Sequence, residues 1–336
     1  MSKIGIYLFL IILCCFFIPI VFTNTIKHGL VNEMNNIANI TQENIISNTY
    51  DYKKYGTIKL LHADTGKVEE LPIDEYLYGV VAAEMPATFE VEALKAQAVV
   101  ARTYTIYKIT TGSKHENADV CTDPNCCQAW ISKEDRLAKW PAKDREADWA
   151  KIVNAVNSTA GQIITYDGKP IDAFFHANSG GKTEIPANVW GGTGYPYLQV
   201  VETAGEDAYS QYASTVKLSY DDVLKKLKTK YPKVKIDFTK DDDIKIIEYD
   251  DSGRVKTVKF GNIQIAGVEA RTIFGLKSAN FTMVKNAKEK QITFDVVGYG
   301  HGVGMSQTGA DTLAKEGEKY DEIIKHFYIG VEIDNV

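Results

Sequence analysis

The chain has 336 residues, 45% of them hydrophobic and 24% charged. That is an ordinary globular composition, with length for one large domain or two small ones and no need of disulfides to hold a core. A formal net charge of -6 and the lack of any basic stripe exclude phosphate neutralisation as the main interaction, so nucleic acid is not an expected partner.

Residues 4–23, IGIYLFLIILCCFFIPIVFT, carry no charge and would span about 30 Å as a helix, enough to cross a bilayer core. The run stays bulky up to Phe22 and Thr23 instead of closing on the small residues of a cleavage site, which predicts an uncleaved anchor. Cys14 and Cys15 follow Leu13, where a lipidation site would need a small residue, and read as apolar filler. The flanking charges, Lys3 before and Lys27 and His28 after, orient the segment only weakly. The missing cleavage site places the short N-terminus inside. The expected layout is a cytoplasmic 1–3, a transmembrane anchor at 4–23, a stalk at 24–56 and an extracytoplasmic catalytic domain at 57–336, with a charge-rich sub-lobe between 204 and 297.

After the stalk, GTIKLLHADTGKVEELPIDEYL reads as two short strands around an Asp64-Thr65-Gly66 turn, then a helix starting at Asp74. That helix continues to Met85, whose conformation Pro86 restricts. A second helix covers 90–108, with Leu94, Ala98, Ala101 and Thr105 on one packing face and Lys95, Val99 and Arg102 along another. Residues 111–130 lack periodicity and hold three of the five cysteines, so this is a loop that something must fix. Helical patterning returns at 146–158 and ends at Gly161. GQIITYDGKPIDAFFHANSGGKTE then reads as a hairpin turning at Asp167-Gly168, with a Gly-rich loop behind it. Residues 216–300 alternate charged turns with β-like runs such as RVKTVKF and QITFDVV. No internal repeat is present. The fold class expected is α+β, with helices packed on antiparallel strands around a substrate groove.

Glu84 stands between small apolar residues and Met85-Pro86. The partial negative charge of a helix C-terminus and poor hydration both disfavour its ionised form, and a carboxyl protonated near neutrality suits general-acid cleavage of a glycosidic bond. A solvated glutamate at a frayed helix end is the competing reading. No second carboxylate is clearly paired with it, whereas ordinary glycoside hydrolysis uses two. One residue suffices, as acid and then base, if the substrate supplies its own attacking hydroxyl. Lys95 and Arg102 share a helical face and could bind substrate, although surface charge alone would account for them.

HENADVCTDPNCCQ, residues 115–128, offers His115, Cys121, Cys126 and Cys127, suited either to tetrahedral zinc or to a disulfide. GYGHGVGMSQTGA, residues 298–310, has the spacing G-x-G-x-G with too little chain behind it for a nucleotide-binding half sheet. It reads as a backbone loop hugging an extended ligand, with His301, Ser306 and Gln307 available for polar contacts, or as a plain strand-to-helix connection. AFFHANSGGKTE and VWGGTGYPYL repeat that pattern with His176, Ser179, Trp190, Tyr195 and Tyr197, and aromatic rings beside polar groups are what a sugar groove would use.

Three separated motifs, GVVAAEMP with FEVEALKAQAVVARTY, then FFHANSGGKTE, then GYGHGVGMSQTGA, resemble the stage II sporulation protein D family over nearly everything after about residue 57. The resemblance implies a peptidoglycan lytic transglycosylase acting in septal thinning and engulfment during endospore formation. Glu84 falls on the family's catalytic glutamate, inside AAEMP. Cleavage between N-acetylmuramic acid and N-acetylglucosamine would leave 1,6-anhydro ends. A preference for strands stripped of stem peptides implies an amidase partner, stage II sporulation protein P, together with the membrane protein stage II sporulation protein M. Lys95 and Arg102 fall on the family's KAQA-x-x-ART segment, near the groove, and Ser179, Tyr197, His301, Ser306 and Gln307 are the further substrate-binding candidates. Cys127-Gln128-Ala129-Trp130 matches a CQ-aromatic element, which selects Cys127 over Cys126. With His115 and Cys121 it makes a three-ligand zinc site, structural or substrate-positioning, whose fourth ligand is open. Two other classes compete: a non-catalytic glycan-binding activator of a cell-wall amidase, and a zinc hydrolase at the His115 cluster, which two thiolates and no adjacent base make a poor fit.

Overall fold

The computed structural model describes residues 56–335. The expected anchor and most of the stalk therefore lie outside the described residues. Among those described, no helix is long and apolar enough to cross a membrane.

In chain order, strands β1 (Thr57–Leu61) and β2 (Val68–Pro72) form the expected hairpin and lead into helix α1 (Ile73–Glu84). Helix α2 (Val91–Thr111) follows, then the two-residue strand β3 (Val120–Cys121), which pairs parallel to β1. Helices α3 (Lys133–Lys139) and α4 (Arg145–Asn157) precede β4 (Gln162–Tyr166) and the short β5 (Lys169–Pro170). Asp167 at φ 50 and Gly168 at φ 69 form the turn between them, both in the left-handed region that a two-residue hairpin requires. The hairpin is shorter than expected. Beyond Pro170 the chain leaves the sheet, and strand β6 (Phe175–His176) pairs in parallel with β13 (Met305–Ser306) from the far end of the sequence. Strand β14 (Glu332–Asn335) completes the β4 sheet.

Helix α2 is the central element. Leu94, Ala98, Val99, Val100 and Ala101 are all fully buried, because α1, α4, β4 and the C-terminal helices α8 (Gln307–Glu316) and α9 (Tyr320–Phe327) surround it. A helix of small apolar residues on nearly every face is a core helix. Its second expected face is accordingly not a surface.

Gly79 sets the distance between α1 and the segment after β3. A Cβ there would stand 2.2 Å from Trp130 Nε1 and 2.8 Å from the Ile131 carbonyl oxygen. Gly79→Ala is expected to destabilise the fold by about 1–3 kcal/mol, measured by urea unfolding. An unchanged midpoint would mean that the segment carrying Trp130 yields easily.

Residues 213–297 supply β7 (Ala213–Ser219), α6 (Tyr220–Lys230), β8 (Ile244–Tyr249), β9 (Val255–Phe260), β10 (Ile263–Ala266), α7 (Gly267–Phe274), β11 (Phe281–Asn286) and β12 (Gln291–Val297). They make two antiparallel three-stranded sheets, ordered β10-β9-β8 and β11-β12-β7. Val223 and Leu227 of α6 and Phe274 of α7 pack with Phe260, Phe281 and Phe294 in one buried cluster. The β-like runs at 255–260 and 291–297 are strands as expected. Helix α6 departs from the expected charged turns, since it buries only Val223 and Leu227, one turn apart, under a lysine-rich exterior.

The glycines of GYGHGVG meet protein. A Cβ on Gly304 would stand 1.9 Å from the Phe174 carbonyl oxygen, and one on Gly302 would stand 2.3 Å from Arg254 Nη2. Both residues have positive φ. At Gly302 and Gly304 the expected close approach to a ligand is corrected: there the loop packs against Arg254 and the Phe174 carbonyl and delivers α8 to the centre.

Candidate active site

A cavity of about 1450 Å³ opens where the end of α1, the β6 strand, α5 (Pro186–Trp190), α7 and the start of α8 meet. Glu84 is the last residue of α1 and lines it. The helix stops there because Met85 takes an extended conformation ahead of Pro86 and is itself buried.

Two uncharged donors hold the Glu84 carboxylate. Ala129 N–H donates to Oε1 at 2.7 Å, and Gln307 Nε2 donates to Oε2 at 3.2 Å. Burial raises the Glu84 pKa above the usual carboxylate value. The two hydrogen bonds, which favour the ionised form, offset part of that rise. Both donors are anchored. Gln128, buried beside Ala129, donates from Nε2 to Tyr76 Oη and Thr105 Oγ1, each at 3.1 Å. Gln307 opens α8 directly behind Ser306, whose hydroxyl accepts from Gly309 N–H at 3.3 Å as the helix cap.

The other expected substrate contacts divide sharply. His301 and Gln307 line the cavity with Glu84. Ser179 and Ser306 are fully buried and donate to the Glu206 carboxylate. That carboxylate also takes Thr203 Oγ1 at 2.7 Å, Thr308 Oγ1 at 2.9 Å, and the Ser179 and Gly181 amides at 3.1 Å. So many donors hold Glu206 below the usual carboxylate range despite its burial. The two serines tie the Gly-rich loop to the α8 cap. Tyr197 is buried, with its hydroxyl accepting from Asp172 N–H at 3.1 Å.

Arg102 corrects the expectation most clearly. It is fully buried and donates to the carbonyls of Val156, Thr159 and Gln162, with Asp74 at 3.2 Å as its ion pair. It fastens the end of α4 to the start of α1 and is not among the residues lining this cavity. Lys95 pairs with Glu92 at 2.8 Å and lies outside the cavity lining.

The aromatic side of the cavity is built on Phe174. Trp190, 52% exposed, lies 4.7 Å from its ring and 5.1 Å from that of His301, and Tyr195 lies 6.1 Å from Phe174. His176 is buried, and its Nδ1–H donates to the Val303 carbonyl at 3.2 Å. Burial brings its pKa down to about 3, so the ring is neutral. Reading the sequence for isolated motifs missed Ala129, whose contribution is a backbone amide. The CQ-aromatic spacing was its one signal.

His115, Cys121, Cys126 and Cys127 present ligand atoms that all lie within 4.8 Å of one another. Both Cys126 Sγ and Cys127 Sγ are 3.7 Å from His115 Nε2, and the two sulfurs are 4.0 Å apart. A tetrahedral zinc site has edges of about 3.8 Å between sulfurs and about 3.6 Å from sulfur to nitrogen, so the spacing fits a metal ion of that size. All three cysteines are free thiols, and no disulfide forms among the described residues. Burial pushes the Cys127 thiol up to about 12. A divalent ion would offset the charge of the thiolates. Cys126 offers a ligand atom beside the three expected ones.

A cavity in which one carboxyl, Glu84, is buried without a lysine or arginine partner among the described residues, beside a His/Cys₃ cluster on an α+β frame, defines the class. The SpoIID profile, described as stage II sporulation protein, matches residues 62–166, a stretch that holds Glu84 and the whole His/Cys cluster. Stage II sporulation protein D of Bacillus subtilis is 37% identical over 268 residues, 79% of this chain and 75% of the relative. That of Bacillus amyloliquefaciens is 34% identical over 280 residues, 82% and 78%. The chain belongs to the stage II sporulation protein D family. A more distant similarity, 29% over 304 residues, links 76% of the chain to 40% of the amidase enhancer of Bacillus subtilis.

Proposed function

We propose that the protein is a peptidoglycan lytic transglycosylase acting during sporulation, with Glu84 as acid and then base. The observation that carries this reading is the carboxyl itself, raised in pKa by burial and held by two neutral donors inside the cavity. The other two cavity carboxylates are tied to lysines, Asp172 to Lys108 at 3.0 Å and Glu269 to Lys230 at 2.7 Å. One free acid without an acidic partner suits a reaction whose nucleophile comes from the substrate.

Protonated Glu84 gives its proton to the oxygen leaving C1 of N-acetylmuramic acid, and the glycosidic bond breaks. The resulting carboxylate then takes the proton of the C6 hydroxyl on the same sugar as that oxygen bonds to C1. The product is a 1,6-anhydro end, Glu84 is reprotonated, and no water is consumed. Trp190 and Tyr195 give the sugar rings apolar faces to lie on. Zinc, held by His115, Cys121, Cys126 and Cys127, would be a closed structural ion that fixes the segment donating Ala129 N–H to Glu84. The same reading places residues 4–23 as a membrane anchor, the working domain on the extracytoplasmic face, and the amidase stage II sporulation protein P and stage II sporulation protein M as partners.

The test is product analysis. Incubated with glycan strands free of peptide, the purified protein should release fragments lighter by one water than reducing-end products, as read by mass spectrometry. Reducing ends alone would overturn the proposal. Gln307→Ala removes a donor to ionised Glu84, so the Glu84 pKa should rise further. The alkaline limb of the pH–rate profile should then move to higher pH, with kcat down about tenfold from lost positioning. A limb that moves to lower pH would contradict the assigned role of Gln307.

The similarity to an amidase enhancer favours a second reading, a glycan-binding activator of an amidase without activity of its own. It predicts no cleavage by the protein alone and full amidase stimulation by a Glu84→Gln variant.

A further inference from the structure

Five cationic side chains and three carboxylates line the cavity, although the chain as a whole is acidic. Lys108 and Lys230 are already paired with Asp172 and Glu269. Arg136 lies 4.7 Å over the Trp140 ring, and Lys114 is exposed to water. Arg271 differs from all of these. It sits on α7, partly buried, and its guanidinium has neither a hydrogen bond nor an ion pair among the described residues. The one acidic group acting on it is the Tyr299 phenol, which also lines the cavity and whose residue is 43% exposed.

The neighbouring imidazoles do not compete for an anion. His176 and His301 are both held neutral by burial, helped by the charge of Arg271 itself. His176 Nε2 is buried without a partner, on a residue that lines the cavity. Since Nδ1 carries the proton, Nε2 is an acceptor waiting for a hydroxyl. A partly desolvated arginine with no counter-ion is a place where a ligand that brings an anion gains an ion pair. A guanidinium fork matches a carboxylate with two parallel hydrogen bonds.

We propose that Arg271 is a carboxylate-recognition site within the cavity, taking the lactyl carboxylate of a muramic acid residue whose peptide has been removed, with His176 Nε2 accepting from a hydroxyl of the same glycan. The proposal rests on the glycan-cleaving reading above and specifies which sugar the cavity selects. A lactyl group still in amide linkage to a peptide has no charge to offer Arg271. Discrimination between bare and peptide-bearing strands would then reside in one side chain.

The test uses the full chain carrying Glu84→Gln, so that probes bind without turnover, and isothermal calorimetry. Two tetrasaccharides of alternating N-acetylglucosamine and N-acetylmuramic acid serve as probes, one with free lactyl carboxylates and one with carboxamides in their place. The carboxylate form is expected to bind about tenfold or more tighter. Arg271→Gln should bring that ratio close to one, and Arg271→Lys should restore part of it. A ratio near one with Arg271 present, a ratio unchanged in Arg271→Gln, or no binding of either probe overturns the proposal. Failure of the transglycosylase reading would show separately, as reducing ends alone released by the parent protein while the binding ratio keeps its dependence on Arg271.

Discussion

Glu84→Gln is expected to reduce release of anhydro products by about 10²–10⁴-fold, the range a positioned acid-base group contributes, with glycan binding retained. Glutamine keeps the size of the side chain, and its one oxygen can still accept from Ala129 N–H while its NH2 faces the Gln307 amide, whose oxygen can turn to accept from it, so the loss would be chiefly chemical. Burial raises the carboxyl pKa in the folded protein above its unfolded value. The proton is therefore present below the folded pKa, and the rate should fall as pH rises through it. Stability moves in the same direction. Its contribution is full below the unfolded pKa and is lost as pH rises through the folded pKa, where an ionised carboxylate must be kept buried. Glu84→Gln should consequently be more stable than the parent at alkaline pH, by roughly 2–4 °C in Tm, and little different at acid pH. Undiminished product release by the variant would remove Glu84 from the mechanism.

Stripping a bound metal should have the second largest effect. Purified protein is expected to carry about one equivalent of zinc by elemental analysis. Chelation should lower Tm by roughly 10 °C, as loss of a structural site worth several kcal/mol would. Cleavage should fall with it, because Cys127 lies two residues before the amide that donates to Glu84. Cys126→Ser tests the fourth ligand, and weaker metal retention is the expected result. A metal-free protein with unchanged Tm and rate would show that the four side chains gather for another reason. If chelation instead abolished cleavage that Glu84→Gln leaves intact, the zinc hydrolase reading would replace the present one.

What could be read in the sequence follows the range of the interactions involved. Helices α1 and α2, the first hairpin and the turn at Asp167-Gly168 depend on local propensity and periodicity, and they were legible. So was Glu84, because Met85-Pro86 fixes the helix end. Arg102 was misread because seven-residue spacing reports a shared face and not what covers it; α1, α4 and β4 bury that face. Ser179 and Ser306 were misread because Glu206, the acceptor that engages both, lies 27 residues from one and 100 from the other. Helix α6 was passed over because its two buried residues are outnumbered by charges, although Ser219 accepting from Asp222 N–H at 3.1 Å gives a local start signal. Arg271 carries no motif at all, and only the cavity wall reveals that it has no partner.

The hydrogen bond from Gln307 to Glu84 joins residues 223 positions apart, and the β6–β13 pairing that delivers Gln307 brings together Phe175 and Met305, 130 positions apart. Contacts of such separation form late, since loop closure must precede them. A chain still being synthesised or exported carries Glu84 long before it carries the residue that holds it, so the acid is assembled only when the final tenth of the polypeptide docks. For a protein proposed to cut the cell wall, this long separation would act as a delay that keeps unfinished molecules harmless.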